Sequence, residues 1–202
     1  MEKLDQLIIY VQDALGPDLI TATVQKDELT IETYAGSIAR VLTILRDHPK
    51  CLFRILLDIC AVDYPDDAKR FRVVYHMVSV ELNQRIRVKV AIPDGMEVPS
   101  VTNIFNSANW YEREAFDMFG IHFTDHPDMR RLLTDYNFQG HPLRKDFPLT
   151  GYLEVSYDAE QRKVVETPVN LPQDFRKFDY LSPWEGSLRK SQPLPGDEKA
   201  ST

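Results

Sequence analysis

The sequence predicts an α+β fold: a mostly antiparallel sheet with helices packed on one face, followed by a long extended C-terminal coil with one hairpin. Three observations predict it. Up to residue 123, stretches of helical periodicity alternate with stretches of period two, and short polar turns join the strands into hairpins. Beyond residue 124, prolines crowd in at Pro127, Pro142, Pro148, Pro168, Pro172, Pro183, Pro193 and Pro195. Within that second part only "GYLEVSYDAEQRKVVET" alternates as a hairpin should, through Leu153, Val155 and Tyr157. The expected division is therefore a domain over residues 1–123 and an extended arm over 124–202, with the polar end, 190–202, expected to be mobile.

The elements follow in order. Leu4, Leu7, Ile8, Val11 and Leu15 recur at helical spacing until Gly16-Pro17 ends the run. "LITATVQ" and "ELTIETY" flank Lys26-Asp27 and make a hairpin. Ile38, Val41, Leu42 and Leu45 mark one face of a second helix, with Ser37 as its N-cap. "CLFRILLDICAVDY" is apolar on both faces and reads as a central strand. "RFRVVYHMVSVEL" and "RIRVKVAI" form two further strands around an Asn83-Gln84 turn, and a helix is expected to begin near Ser100. A last helix is expected over Asn109–Phe119, with Asn109 as N-cap, Glu112 completing a capping box and Gly120 as the left-handed residue past its end.

Composition excludes several classes. The chain has 202 residues, 43% hydrophobic and 27% charged, in the range of a soluble globular protein. With 31 acidic against 24 basic residues the net charge is −7, and no long basic run offers a phosphate-backbone footprint. An RNA-binding sheet would need a basic, aromatic-studded face, for which Arg85, Arg87 and Lys89 are slight support. No apolar run reaches the ~20 residues that span a bilayer. The N-terminal stretch reads as an amphipathic helix and not a signal peptide. Cys51 and Cys60, placed on one strand by the sequence, are expected to face opposite sides as small buried hydrophobes.

The densest chemistry lies between Glu112 and Leu133. His122 and His126 have the spacing of a metal pair, and a stand-alone metal-dependent hydrolase is the reading of another class. Gly120 and Pro127 remove the helix that would align the two rings, so packing and hydrogen bonding in a turn is the favoured reading. Two cysteines cannot hold an iron–sulfur cluster, and neither a dinucleotide fingerprint nor a phosphate loop is present. Glu112 and Glu114 are two apart and point to different faces, whereas Arg113 and Asp117 can pair across one turn. Arg130, Arg131, Arg144 and Lys145, with Asp146, supply charges to answer these acids within the fold or across an interface. The arm carries Phe175, Phe178, Tyr180, Leu181 and Trp184, each worth roughly 1.5–3 kcal/mol if buried.

The stretch "EREAFDMFGIHFTDHPDMRRLLTDYNFQGHPLRKDFPLTGY", Glu112 to Tyr152, resembles the signature of the thirty-kilodalton subunit family of proton-translocating NADH–quinone oxidoreductase (respiratory complex I). "FRKFDYLSPWE", Phe175 to Glu185, is similar to that family's tail. Asn137 stands where the family pattern has Gly, and Asn tolerates positive φ. The resemblance implies a non-catalytic structural subunit of the peripheral arm, near the quinone-reducing module. It implies no cofactor or metal in this chain, with FMN and iron–sulfur clusters carried by partner subunits. The implied partners are the large quinone-site subunit and the adjacent cluster-bearing subunit, without nucleic acid and with the membrane reached only indirectly. The implied location is peripheral, on the cytoplasmic side of the bacterial inner membrane or the matrix side of the mitochondrial one. A homologous subunit of a membrane-bound hydrogenase or formate-oxidising complex is the alternative. The motif positions expected to serve the interface are Glu112, Arg113, Glu114, Asp117 and Gly120, then His126, Pro127, Arg130 and Arg131. Gly140, His141, Pro142, Arg144, Lys145 and Asp146 continue them, and Phe175, Phe178 and Trp184 complete the set in the tail.

Overall fold

Leu7, Val11 and Leu15 recur on one side of α1 (Glu2–Leu15), and all three are fully buried against a five-stranded sheet. The computed structural model describes residues 2–171, so Phe175, Phe178, Trp184 and the end of the arm lie outside the described residues. β1 (Leu19–Gln25) and β2 (Glu28–Thr33) pair antiparallel through Lys26 and Asp27, whose φ values of 52° and 60° give the two left-handed residues of a tight hairpin turn. α2 (Ile38–Asp47) buries Ile38, Val41, Leu42 and Leu45 as its spacing requires. Ser37 is its N-cap, but the hydroxyl donates to Asp18 Oδ1 at 2.8 Å and not to a helix N–H.

β3 (Ile55–Asp63), β4 (Phe71–Ser79) and β5 (Gln84–Ile92) form an antiparallel meander. β5 then lies parallel to β2, giving the order β1-β2-β5-β4-β3. Phe71, Val73, Tyr75 and Met77 on β4 and Ile86, Val88, Val90 and Ile92 on β5 point to one face, where they meet α1 and α2 in the core. Two short strands, β6 (Val98–Pro99) and β7 (Phe123–Thr124), pair parallel on either side of α3 (Ala108–Phe119).

Four expectations need correction. The apolar strand read as central, β3, is an edge strand. Its core face carries Leu56 and Ile59, but its other face is also apolar without being covered in the same way. Cys51 does not belong to that strand: the chain turns at His48–Leu52, with Leu52 at φ 48°, and Phe53 N–H donates back to Leu45 O. No helix begins near Ser100; turns occupy residues 102–107, and α3 starts at Ala108 with Ser107 at its N-cap and no capping side chain. Finally, the compact unit extends through Tyr152 and not to residue 123, because the coil after β7 is fastened to it by hydrogen bonds. The second unit starts at Leu153, and its described part contains the expected hairpin, β8 (Leu153–Asp158) with β9 (Lys163–Pro168). No helix among the described residues is long and apolar enough to cross a membrane.

Candidate functional site

Gly120 ends α3 in the left-handed conformation, φ 77°, as its position in the sequence predicts. The last four carbonyls of a helix have no partner within it. Here the coil supplies them. Gly120 N–H donates to Phe116 O (2.8 Å), His141 Nδ1–H to Asp117 O (2.9 Å), Leu143 N–H to Met118 O (3.1 Å) and Arg144 Nε–H to Phe119 O (2.6 Å). The "GHPLR" segment is thus the C-terminal cap of α3. A side chain at Gly120 would meet the ring of His141 at 2.6 Å, so Gly serves both the backbone angle and the close approach.

Asp117, fully buried on α3, gathers the other half of the coil. Its Oδ2 accepts the backbone N–H groups of Leu132, Leu133 and Thr134 at 3.0, 2.7 and 2.9 Å. Oδ1 accepts Arg131 Nη1 at 2.9 Å and the Thr134 hydroxyl at 2.6 Å. Burial opposes the charge, yet the Thr134 hydroxyl and these backbone donors hold the carboxyl down at about 2. Arg131 also donates to Gly140 O. The expected pairing of Arg113 with Asp117 is absent; Arg113 instead donates to the carbonyls of Arg130 and Arg131.

Glu112 is the second fully buried acid of α3. It forms no capping box. Oε1 accepts Val101 N–H at 2.7 Å and Oε2 the Ser100 hydroxyl at 2.7 Å, pinning the loop after β6 to the helix. Burial pushes its carboxyl up to about 7, against the pull of those two donors. His126 stands 3.8 Å away, but its Nδ1 accepts Asp128 N–H and its Nε2 therefore donates to Asn109 O. With both nitrogens occupied, His126 offers no lone pair to a metal. His122 is exposed and lies edge-on to Phe116. Among the described residues no group of three His, Cys, Asp or Glu side chains could hold a metal ion.

A third fastening joins Arg144, Lys145 and Asp146 to residues that local sequence patterns do not single out. Asp63, at the end of β3, accepts Arg70 in a bidentate pair at 2.7 and 2.8 Å and also Lys145 N–H at 2.8 Å. The Arg70 guanidinium holds the Asp63 carboxyl below the usual range. Arg70 reaches Asp146 at 2.9 Å, while Arg144 pairs with Asp94 at 3.1 Å. Both guanidiniums flank the ring of Phe71, at 5.2 and 5.0 Å. An acid closing an apolar strand was the signal available for Asp63; Ser100, Asp94 and Thr134 carried none. Glu114, Pro127 and Arg130 are exposed, and Arg130 pairs locally with Asp128. Pro142 is half-buried beside His141. Gly140, at φ 89°, is the left-handed residue of its turn, and Asn137 keeps negative φ.

The geometry defines a class: an α+β domain built on a five-stranded sheet, whose signature segment is an irregular strap fastened through buried acids of one helix. The chain belongs to the family described as respiratory-chain NADH dehydrogenase, 30 Kd subunit, which it matches over residues 31–153. It is 54% identical to an NADH-quinone oxidoreductase subunit of Xanthobacter autotrophicus, over 99% of this chain and 94% of that one. The same subunit of Rhodospirillum rubrum is 56% identical, again over 99% of this chain and 94% of the relative. Among solved structures, a chain of the membrane-bound sulfane sulfur reductase, an archaeal respiratory membrane complex, matches with TM-score 0.66 at 27% identity, over 89% of this chain and 99% of that chain. A trypsin-resistant fragment (1-134) of Nqo5 matches with TM-score 0.50 at 28% identity, over 62% of this chain and 98% of that one. The complex I family expected from the signature is the family found.

Proposed function

We propose that this chain is a non-catalytic structural subunit of the peripheral arm of a proton-translocating NADH–quinone oxidoreductase, which passes electrons from NADH through FMN and iron–sulfur clusters to quinone. The cofactors belong to partner subunits, and the chain supports assembly of the quinone-reducing module. Its partners are the large quinone-site subunit and the cluster-bearing subunit beside it, on the cytoplasmic side of the inner membrane. The observation that carries this reading is the outer surface of the strap. Leu133, Tyr136, Leu143, Leu149 and Tyr152 are all exposed on a segment that is fastened to α3 through Asp117 and His141. Large apolar side chains presented on a fastened coil mark a surface built to be covered. The names of the relatives favour NADH–quinone oxidoreductase over the hydrogenase or formate-oxidising alternative.

The test is purification of the tagged full-length chain from its own membranes in mild detergent. Stoichiometric recovery with flavin- and cluster-bearing subunits and NADH–quinone activity supports the proposal. Recovery alone, as a soluble monomer with bound metal or RNA, rejects it.

A further inference from the structure

We infer that the uncovered face of the five-stranded sheet is a second docking surface, for an amphipathic helix of a partner polypeptide lying over β3 and β4 with its carboxylates turned toward β5. Within residues 2–152, α1, α2 and the Ala108–Ala115 side of α3 share one core with Tyr75 and Val88 on one face. On the opposite face Val74 and Thr30 are buried but Ile55 and Val62 are exposed. The strand register sets the opposite face out as stripes. On β3 and β4 apolar and polar pairs alternate: Ile55 pairs with Val78 and Cys60 with Val74, Asp58 with His76 between them, and Val62 with Arg72. Ile55 is 45% exposed, Val62 37%, and Leu57, in the bulge between them, 40%. Neighbouring β5 carries Arg85, Arg87 and Lys89 on this face, and β2 beyond it carries Glu28 and Glu32.

Part of this charge is answered internally. Arg87 pairs with Glu28 at 2.5 Å and Arg72 with Asp67 at 2.8 Å. Arg85 and Lys89 form no ion pair among the described residues, although Glu32 stands opposite Lys89 in the register. A groove of about 540 Å³ lies over this face, where Cys60, Val62 and Val74 meet the charged groups of Glu32, Arg72, Arg87 and Lys89 and the ring of His76. Apolar pairs set beside the cations Arg85 and Lys89 fit a helix with an apolar face and an acidic flank, as a third layer on the sheet. The apolarity of edge strand β3 on both faces has the same explanation: one face meets the core and the other a partner. Asp58 and His76, paired across β3 and β4 on the same face, call for polar groups at that point of the helix.

Cys60 reports on this face. It is the half-exposed one of the chain's two cysteines, and Cys51 is fully buried. Iodoacetamide alkylation of Cys60 is compared between the isolated full-length chain and the assembly extracted from membranes. The expected result is a rate at least ~10-fold slower in the assembly, with carbodiimide coupling Lys89 to an Asp or Glu on a helix of another polypeptide. Lys89→Arg keeps the charge, so Cys60 stays protected while the coupling is lost. Arg85→Glu with Lys89→Glu removes protection, with circular dichroism of the isolated chain checking the fold. Equal rates in the two states overturn the inference. So does protection already present in the isolated chain, which means self-coverage or a second copy, and so does protection abolished by ribonuclease. An intact assembly in which Cys60 stays reactive defeats this inference and leaves the proposed function standing.

Discussion

Arg131 Nη1 lies 2.9 Å from Asp117 Oδ1 while the same guanidinium reaches Gly140 O at 3.1 Å, so one side chain ties two turns of the strap to one buried acid. Removing one partner of a buried, hydrogen-bonded charge costs about 3–5 kcal/mol. Asp117→Ala also leaves the N–H groups of Leu132, Leu133 and Thr134 without their acceptor. The expected loss is in that range, read by urea unfolding of the full-length chain. A loss below ~1 kcal/mol would show that the strap is held by other contacts.

The adjacent arginines separate cleanly. Arg130 is exposed and paired only with its near neighbour Asp128, so Arg130→Ala should leave stability essentially unchanged in urea unfolding. Arg131→Ala should destabilise the chain measurably and lower the abundance of the assembly. Equal effects from both substitutions would contradict this arrangement.

Gly120→Ala meets two obstacles. The left-handed φ costs about 1 kcal/mol. The new methyl also lands on the His141 ring and Arg144 guanidinium, at 2.6 and 2.9 Å, and overpacking of that kind costs about 1–3 kcal/mol more. Adding His141→Ala to Gly120→Ala should relieve the collision and leave the backbone cost, so the double variant should lose less than the two single losses added together. Strict additivity in thermal or urea unfolding would contradict the contact.

Glu112 makes stability depend on pH in a defined direction. Its folded carboxyl titrates near 7, above the ordinary value of 4.5, because burial disfavours the charge. The folded chain therefore binds a proton that the unfolded chain has released. The stabilisation is fully present below the unfolded value and is lost as pH rises through about 7. Glu112→Gln should remove this dependence and gain about 2–3 kcal/mol on the parent between about pH 5 and about pH 8. Parallel stability curves for parent and variant would show that Glu112 does not titrate in this window.

Deletion of residues 170–202 removes Phe175, Phe178, Tyr180, Leu181 and Trp184. The truncated chain should keep its circular dichroism and fail to enter the complex. Normal assembly of the truncated chain would sink the idea that the tail is needed.

Sequence periodicity captured the elements and the core because each pattern is local. α1, α2 and the hairpins could be placed from neighbouring residues, and the Gly120 stop from the turn chemistry of one residue. Position within the sheet was not legible in this way. β3 looks central because both faces are apolar, and only pairing partners far along the chain show it to be an edge. Glu112 illustrates the same limit at the site. Its spacing from Asn109 suggested a local cap, but its true partners, Ser100 and Val101, lie in the loop before the helix. The signature segment was visible as a dense cluster of charges. Which acid held which donor was not, because Asp117 meets Arg131 across a coil with no repeating geometry.

The parallel seam between β2 and β5 has a consequence for how the chain is made. Leu29 and Ile31 emerge early from the ribosome, yet their sheet neighbours Ile86 and Val88 follow only after α2 and the whole β3–β4 hairpin have been synthesised. Until then the first hairpin and its helices form one fragment and the later meander another, each with an open apolar flank. The seam is thus the late, non-local step of folding, and the interval before it closes is when a nascent chain most needs shelter from aggregation.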